Sequence, residues 1–151
     1  MRPRNMGDDG KPNHICLCCA VPYRHRGGKV EFCLVVSTED RSWEFPKVEV
    51  AARVPCVDLL REQARLQAGV QGDIDVDQPL GQFGSSRAGT SMELTAYLME
   101  VSAVEDPASD GVRRRWCLAE EAKARIRRKP MRRLVDTAQR RLEHGAGEAS
   151  G

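Results

Sequence analysis

Apolar residues along this chain follow two periods. "HICLCCAV" (14–21) is an unbroken apolar run of strand length, and "KVEFCLVVS" (29–37) is a second. The segment between them, "PYRHRGG" (22–28), is a turn carrying basic residues, so the two runs predict an antiparallel pair. Past "WEFPK" the period lengthens. Val57, Leu60, Ala64 and Ala68 fall on one face of a helix over about 55–68. Pro55 suits its first turn, where a missing N–H costs nothing, and Gly69 closes it as a left-handed cap. "GDIDVDQ" reads as a polar connection and "PLGQFGSS" as a short strand. "TSMELTAYLMEVSAV" (90–104) reads as a long strand with Met92, Leu94, Ala96 and Leu98 on one face. "VRRRWCL" predicts a last short strand. "AEEAKARIRR" and "MRRLVDTAQRRLEHG" predict two helices, the second over about 130–143 with Leu134, Val135, Ala138 and Leu142 turned inward. Strands on both sides of a central helix, then more strands and a C-terminal helix, make a mixed α/β sandwich.

A length of 151 residues fits one domain, and 40% hydrophobic residues suffice for a core. The expected division is a flexible N-terminal arm over 1–13, a single domain over 14–144 and a disordered tail over 145–151. "MRPRNMGDDGKPNH" lacks the apolar run of an export signal, and no segment approaches a membrane span. The expectation is a cytoplasmic protein with no membrane partner and with reduced thiols. "CLCC" has no second cysteine pair or histidine-rich partner, so it predicts no metal site. Cys16 and Cys18 face one side of their strand and Cys19 the other, as small buried hydrophobes.

The net charge of +2 hides an asymmetry: residues 112–144 hold 12 Lys/Arg against 4 Asp/Glu. Such an excess suits phosphates or nucleic acid, or else the solvated faces of amphipathic helices.

"WEFPK" followed by a helix that ends in "AGV" resembles the Nudix hydrolase family. The family signature is G-x5-E-x7-R-E-U-x-E-E-x-G-U, with U aliphatic, commonly preceded by W-x-F-P-K-G. Placed without gaps, that box runs from Val48 to Val70. Trp43, Phe45, Pro46 and Lys47 match the lead-in, and Ala64, Gly69 and Val70 match positions within it. Among its branches the chain looks most like the diphosphoinositol polyphosphate phosphohydrolases. The similarity lies in "ICLCCAV" as first strand, "LGQF" after the box, "RRRWCLAEEA", and Lys129-Pro130 before the last helix. The resemblance implies a Nudix-type α/β/α sandwich with a mixed sheet, and a diphosphate linkage cleaved with Mg²⁺ or Mn²⁺.

The chain departs from that pattern where the chemistry sits. The first Gly of the box is Val48 and its first Glu is Val54; the Arg-Glu pair falls on Glu62-Gln63 and the Glu-Glu pair on Leu66-Gln67. In the family the carboxylates at these positions share one helical face, because residues three and four apart are neighbours there, and they bind the divalent cations. Mg²⁺ prefers carboxylate oxygens, and two amides with a leucine are a poor substitute. A shift of one residue makes Arg61-Glu62 the Arg-Glu pair but puts Arg65 and Leu66 at the paired-Glu positions. Glu62 is thus the one catalytic candidate left in the box, with no metal ligand set and no cofactor expected. Glu44, Glu49, Asp58, Glu93 and Glu100 are other carboxylates near the box or on the long strand. His14, His25 and His144 are scattered, with no nucleophile at a telling distance.

Phosphate-binding groups are better represented. Lys47, Arg41, Arg24, Arg115 and Lys129 come from segments that the resemblance brings around one anionic ligand. The expected function is a Nudix-fold protein that binds a phosphorylated small molecule, such as an inositol polyphosphate or a nucleotide, and is impaired in metal-dependent hydrolysis. The alternative is an active hydrolase of a diphosphate linkage with displaced metal-binding carboxylates. A third option is a protein-binding module that uses the basic C-terminal helices.

Overall fold

Alternation along the first strand decides how the chain is layered. In a computed structural model, which describes residues 14–36, 41–51, 56–87, 89–105 and 113–150, this strand is β1 (His14–Arg26). Cys18 and Ala20 pack on one side of it and Cys19 and Val21 on the other. The strand is apolar on both faces because both are covered.

Around it stand β2 (Lys29–Val36), β3 (Trp43–Glu44), β4 (Lys47–Val50), α1 (Val57–Ala68), β5 (Val70–Ile74), β6 (Gly81–Arg87) and β7 (Thr90–Val104). The chain then continues through β8 (Arg114–Cys117), α2 (Ala119–Arg125) and α3 (Lys129–Ser150). β1 and β7 pair in parallel, His14 opposite Ser91 through Tyr23 opposite Glu100; the other pairings between these described strands are antiparallel. The sheet runs β3-β2-β1-β7-β5, with β4 also on β1, β6 also on β7 and β8 also on β2. α1 covers one face through Leu60, Ala64 and Ala68, packed with Val35, Val70 and Met99. α2 and α3 cover the other through Ala122, Met131, Leu134, Val135 and Ala138, packed with Phe32, Leu34, Phe45 and Leu94. The arrangement is the expected α/β/α sandwich around a mixed sheet.

Several boundaries differ from expectation. β1 continues to Arg26, and the turn shrinks to Gly27 and Gly28, whose φ of 61° and 79° suit a tight hairpin. Pro22 does not end the strand. It falls where one edge of β1 changes partner, between the register with β4 (Cys16–Cys19) and that with β2 (Tyr23–Arg26). Arg24, His25 and Arg26 are therefore strand residues, not loop residues. The "polar connection" begins inside β5, an edge strand that buries Val70 and Ile74 and exposes Gln71 and Asp73. Only two apolar residues mark it in the sequence. Gly72 sits at its bulge because a Cβ there would lie 1.9 Å from the Glu100 carbonyl oxygen.

Gly69 closes α1 with φ 68° as expected, its N–H donating to Arg65 O at 2.9 Å. Pro55 and Val54 lie outside the described residues, as does the arm over 1–13. The backbone of α3 stays helical to Ser150, through the segment expected to be a disordered tail. The thiols also differ from expectation: Cys18 and Cys56 form a disulfide, with Cα atoms 6.6 Å apart. Their sequence separation of 38 gives no sign of it, since only the docking of α1 on β1 brings the pair together. Among the described residues, no helix is long and apolar enough to cross a membrane.

Candidate functional site

The box positions come first. On α1 the core takes Leu60, Ala64 and Ala68, while Val57 is half-buried at the start of the same stripe. Gln63 and Gln67 lie beside that stripe, half-buried, and face β4. Gln67 Nε2 donates to Lys47 O at 3.0 Å and to Gln63 Oε1 at 2.9 Å, while Gln67 Oε1 accepts the Lys47 N–H at 3.3 Å. The side-chain amide thus pairs with a backbone peptide as another strand would. This needs a donor and an acceptor on one planar group, which an ionised carboxylate lacks.

The donor set does not fit a hard divalent ion. Gln63 Oε1 and Gln67 Oε1 already accept hydrogen bonds, Leu66 offers no oxygen, and neither amide carries charge. Among the described residues no group of three or more His, Cys, Asp or Glu side chains is arranged to hold a metal.

Glu62 lies on the other flank of α1, exposed, with Arg65 Nη2 donating to its Oε2 at 2.6 Å. The hydrogen bond from Arg65 holds its carboxyl below the usual range. A general base working near neutral pH needs the opposite shift. Glu62 lines a separate polar cleft of about 500 Å³ with Asp58, Arg61, Arg65 and Asp73. The other carboxylates are dispersed as well: Asp58 pairs with Arg61, Glu49 and Glu100 are exposed, and Glu93 stands opposite Cys16.

A cavity of about 800 Å³ opens on the other face, between β6, β7 and the start of α3. Leu17, Phe83, Met92, Leu94, Met131 and Leu134 give it an apolar floor, while Lys47, Arg128, Lys129 and Arg133 place cations around it. Three of these four cations come from the basic C-terminal third. Most of its basic residues are engaged elsewhere. Arg114 Nη1 donates to Ala68 O at 2.8 Å, and Arg115 and Arg125 share Glu121. Lys123 pairs with Asp136, and Arg132 and Arg141 donate to backbone carbonyls. Lys129 and Arg133, both exposed, pair with no carboxylate among the described residues.

Of the five ligand-binding candidates, Lys47 and Lys129 line this cavity and the other three do not. Lys47 reaches it because β4 turns its side chain toward the α3 side while its backbone holds Gln67; its Nζ pairs with Glu44 at 2.9 Å. Arg24 lies over Trp116, 3.9 Å from the ring centroid, and pairs with Glu31 at 2.8 Å. Trp116 belongs to the α1-side core, so Arg24 is on the opposite face of the sheet. Arg115 stands on the edge strand β8, tied to Glu121 at 2.9 Å. Arg41 is exposed before β3, with a left-handed φ of 58°. The segment spacing did not show which of these side chains cross to which face. Sequence reasoning missed Arg133, Phe83 and Met131, although Arg133 lies four residues beyond Lys129, on the same helical face.

No protein-family model matches the chain, and no curated protein matches it in sequence. Solved structures do match in fold. The Caenorhabditis elegans Ap4A hydrolase, as a binary complex, shares 18% identity over 86% of this chain and 98% of its own, with a TM-score of 0.72. The NUDIX domain of Shewanella oneidensis NrtR, complexed with ADP ribose, shares 14% over 90% of this chain and 94% of its own, also at 0.72. A NUDIX hydrolase from Nitrosomonas europaea shares 15% over 85% and 89%, at 0.64.

Proposed function

Because the chain carries the Nudix fold, we propose that it binds a nucleotide in the cavity between β6, β7 and α3, and that it is impaired in metal-dependent hydrolysis. The observation that carries this reading is the clamp of Gln67 on the Lys47 backbone, with Gln63 hydrogen-bonded behind it. The box helix spends on structure the positions that the family pattern gives to metal ligands. The cavity itself retains what an anionic ligand needs.

The choice of ligand follows from the floor. An inositol polyphosphate is charged in every direction, so seating it here would press phosphates against Leu17, Phe83, Leu94 and Leu134, which is unfavourable without compensating hydrogen bonds. A nucleotide has one apolar, stackable end and one charged end, which match the Phe83 and Met92 floor and the Lys129 and Arg133 rim. Two of the fold neighbours, an Ap4A hydrolase and a domain complexed with ADP ribose, bear names with nucleotide-type ligands, which supports the same choice.

Calorimetry with ADP and with inositol hexakisphosphate, in EDTA, tests the reading on the parent, Lys129→Ala and Arg133→Ala. ADP should bind without metal and more tightly than inositol hexakisphosphate. Each substitution should weaken it by about tenfold, since a charge-assisted contact at an exposed rim contributes roughly 1–2 kcal/mol. Rising salt should weaken it further. Absence of binding without metal, or affinities that ignore both substitutions, would overturn the proposal.

A further inference from the structure

We propose that the Cys18–Cys56 disulfide is a reversible redox tether for α1, whose reduction loosens the start of the helix and, through the Gln67 clamp, weakens anion binding beside Lys47. The helix needs such a tether. Its fully buried contacts are Leu60, Ala64 and Ala68, and two of the three are alanines that remove little surface from water. At its C-terminal end it is fastened polar group by polar group, by Arg114 to Ala68 O at 2.8 Å and by Gln67 to both backbone groups of Lys47. At its start the N-cap residue, Cys56, makes no side-chain capping bond to the free N–H groups, and its sulfur is bonded to Cys18 of β1.

The bond and the clamp therefore hold opposite ends of one rigid element, and the clamped residue, Lys47, lines the cavity. Tilting α1 at its start moves Gln67 against Lys47. The thiol chemistry balances with a small-molecule disulfide such as oxidised glutathione. Two protein thiols give two electrons and two protons, the Cys18–Cys56 bond forms through a mixed disulfide, and two glutathione thiols leave. In the reverse direction a thiolate freed at Cys56 lies at a helix N-terminus, where unpaired N–H groups favour negative charge. The effect on binding rests on the nucleotide reading above; the tether itself does not.

Amide hydrogen exchange in glutathione buffers of graded composition, with alkylation and mass spectrometry on the same samples, tests the tether. Cys18 and Cys56 should become alkylated together, and only in reducing mixtures. Reduction should speed exchange about tenfold at the Leu60 N–H, which donates to Cys56 O at 2.7 Å, and at the Lys47 N–H held by Gln67, while β7 stays protected. Cys56→Ala should behave as the reduced parent under all conditions, and Cys16→Ser as the oxidised parent. Exchange that is the same in both states, or reduction that exposes β7 as well, would overturn the tether. ADP titrated into the two states should bind at least several-fold more weakly to the reduced one; equal affinity would overturn the coupling. If exchange responds while ADP binds neither state, the tether stands and the nucleotide reading fails.

Discussion

Gln67 brackets the backbone of Lys47, donating from Nε2 to its carbonyl at 3.0 Å and accepting its N–H on Oε1 at 3.3 Å. A glutamate at this position would set a carboxylate against that carbonyl and lose the bond to Gln63 Oε1 as well. Gln67→Glu should lower stability by roughly 1–3 kcal/mol at neutral pH, read from urea denaturation, because half-buried acceptors are left facing one another. A variant as stable as the parent would show that the clamp contributes nothing.

The same positions can be turned back toward the family pattern. Gln63→Glu, Leu66→Glu and Gln67→Glu together create a cluster of acids, whose mutual repulsion costs stability until a cation neutralises it. Mg²⁺ or Mn²⁺ should then raise the melting temperature of the triple variant several degrees more than that of the parent. Equal shifts would place any metal effect elsewhere.

A pH effect should centre on Glu121. Hydrogen bonds from Arg125 first, then Arg115, hold its carboxyl below the usual range, and the one from Arg115 joins α2 to β8. A carboxyl whose pKa is lower in the folded state stabilises above its unfolded value, and this contribution is lost as pH falls through the folded one. Glu121→Gln should therefore be less stable than the parent at pH 7, with the gap in melting temperature closing below about pH 4. A gap that stays constant from pH 7 to pH 3 would refute this.

Much of this fold was legible in the pattern of the chain. The long strand over 90–104, the stripe of Leu60, Ala64 and Ala68, and the Gly69 cap each rest on a local signal that the tertiary structure reinforces. β5 was not legible, because an edge strand with two inward residues resembles a polar loop. The site was legible only in part. Spacing showed that the box helix lacks its acids, but not that Gln67 would pair with a peptide group 20 residues away. Nor does a run such as Arg113-Arg114-Arg115 tell which guanidinium stacks on Trp43, which caps α1 and which meets Glu121; side-chain direction across a sheet decides that.

Thiol reactivity should separate the six cysteines. Burial pushes Cys19 and Cys33 up to about 12, and burial raises Cys117 too, so none of the three supplies much thiolate at pH 8. With Cys18 and Cys56 paired, only the half-buried Cys16 remains, and Ellman's reagent should titrate one thiol in the native oxidised protein. Denaturation without reductant should raise the count to four, the number of free cysteines. Two or more fast native thiols would contradict this assignment.

The most direct test of the whole account is a phosphorus NMR titration of ADP into the protein, first in EDTA and then, on the same sample, with excess Mg²⁺. The account predicts that both ADP resonances shift and broaden in EDTA, that Lys129→Ala blunts the shift, and that Mg²⁺ adds no AMP or free phosphate signal over hours. Unshifted resonances in EDTA, followed by rapid appearance of AMP and phosphate on adding Mg²⁺, would contradict it and establish an active hydrolase with displaced carboxylates.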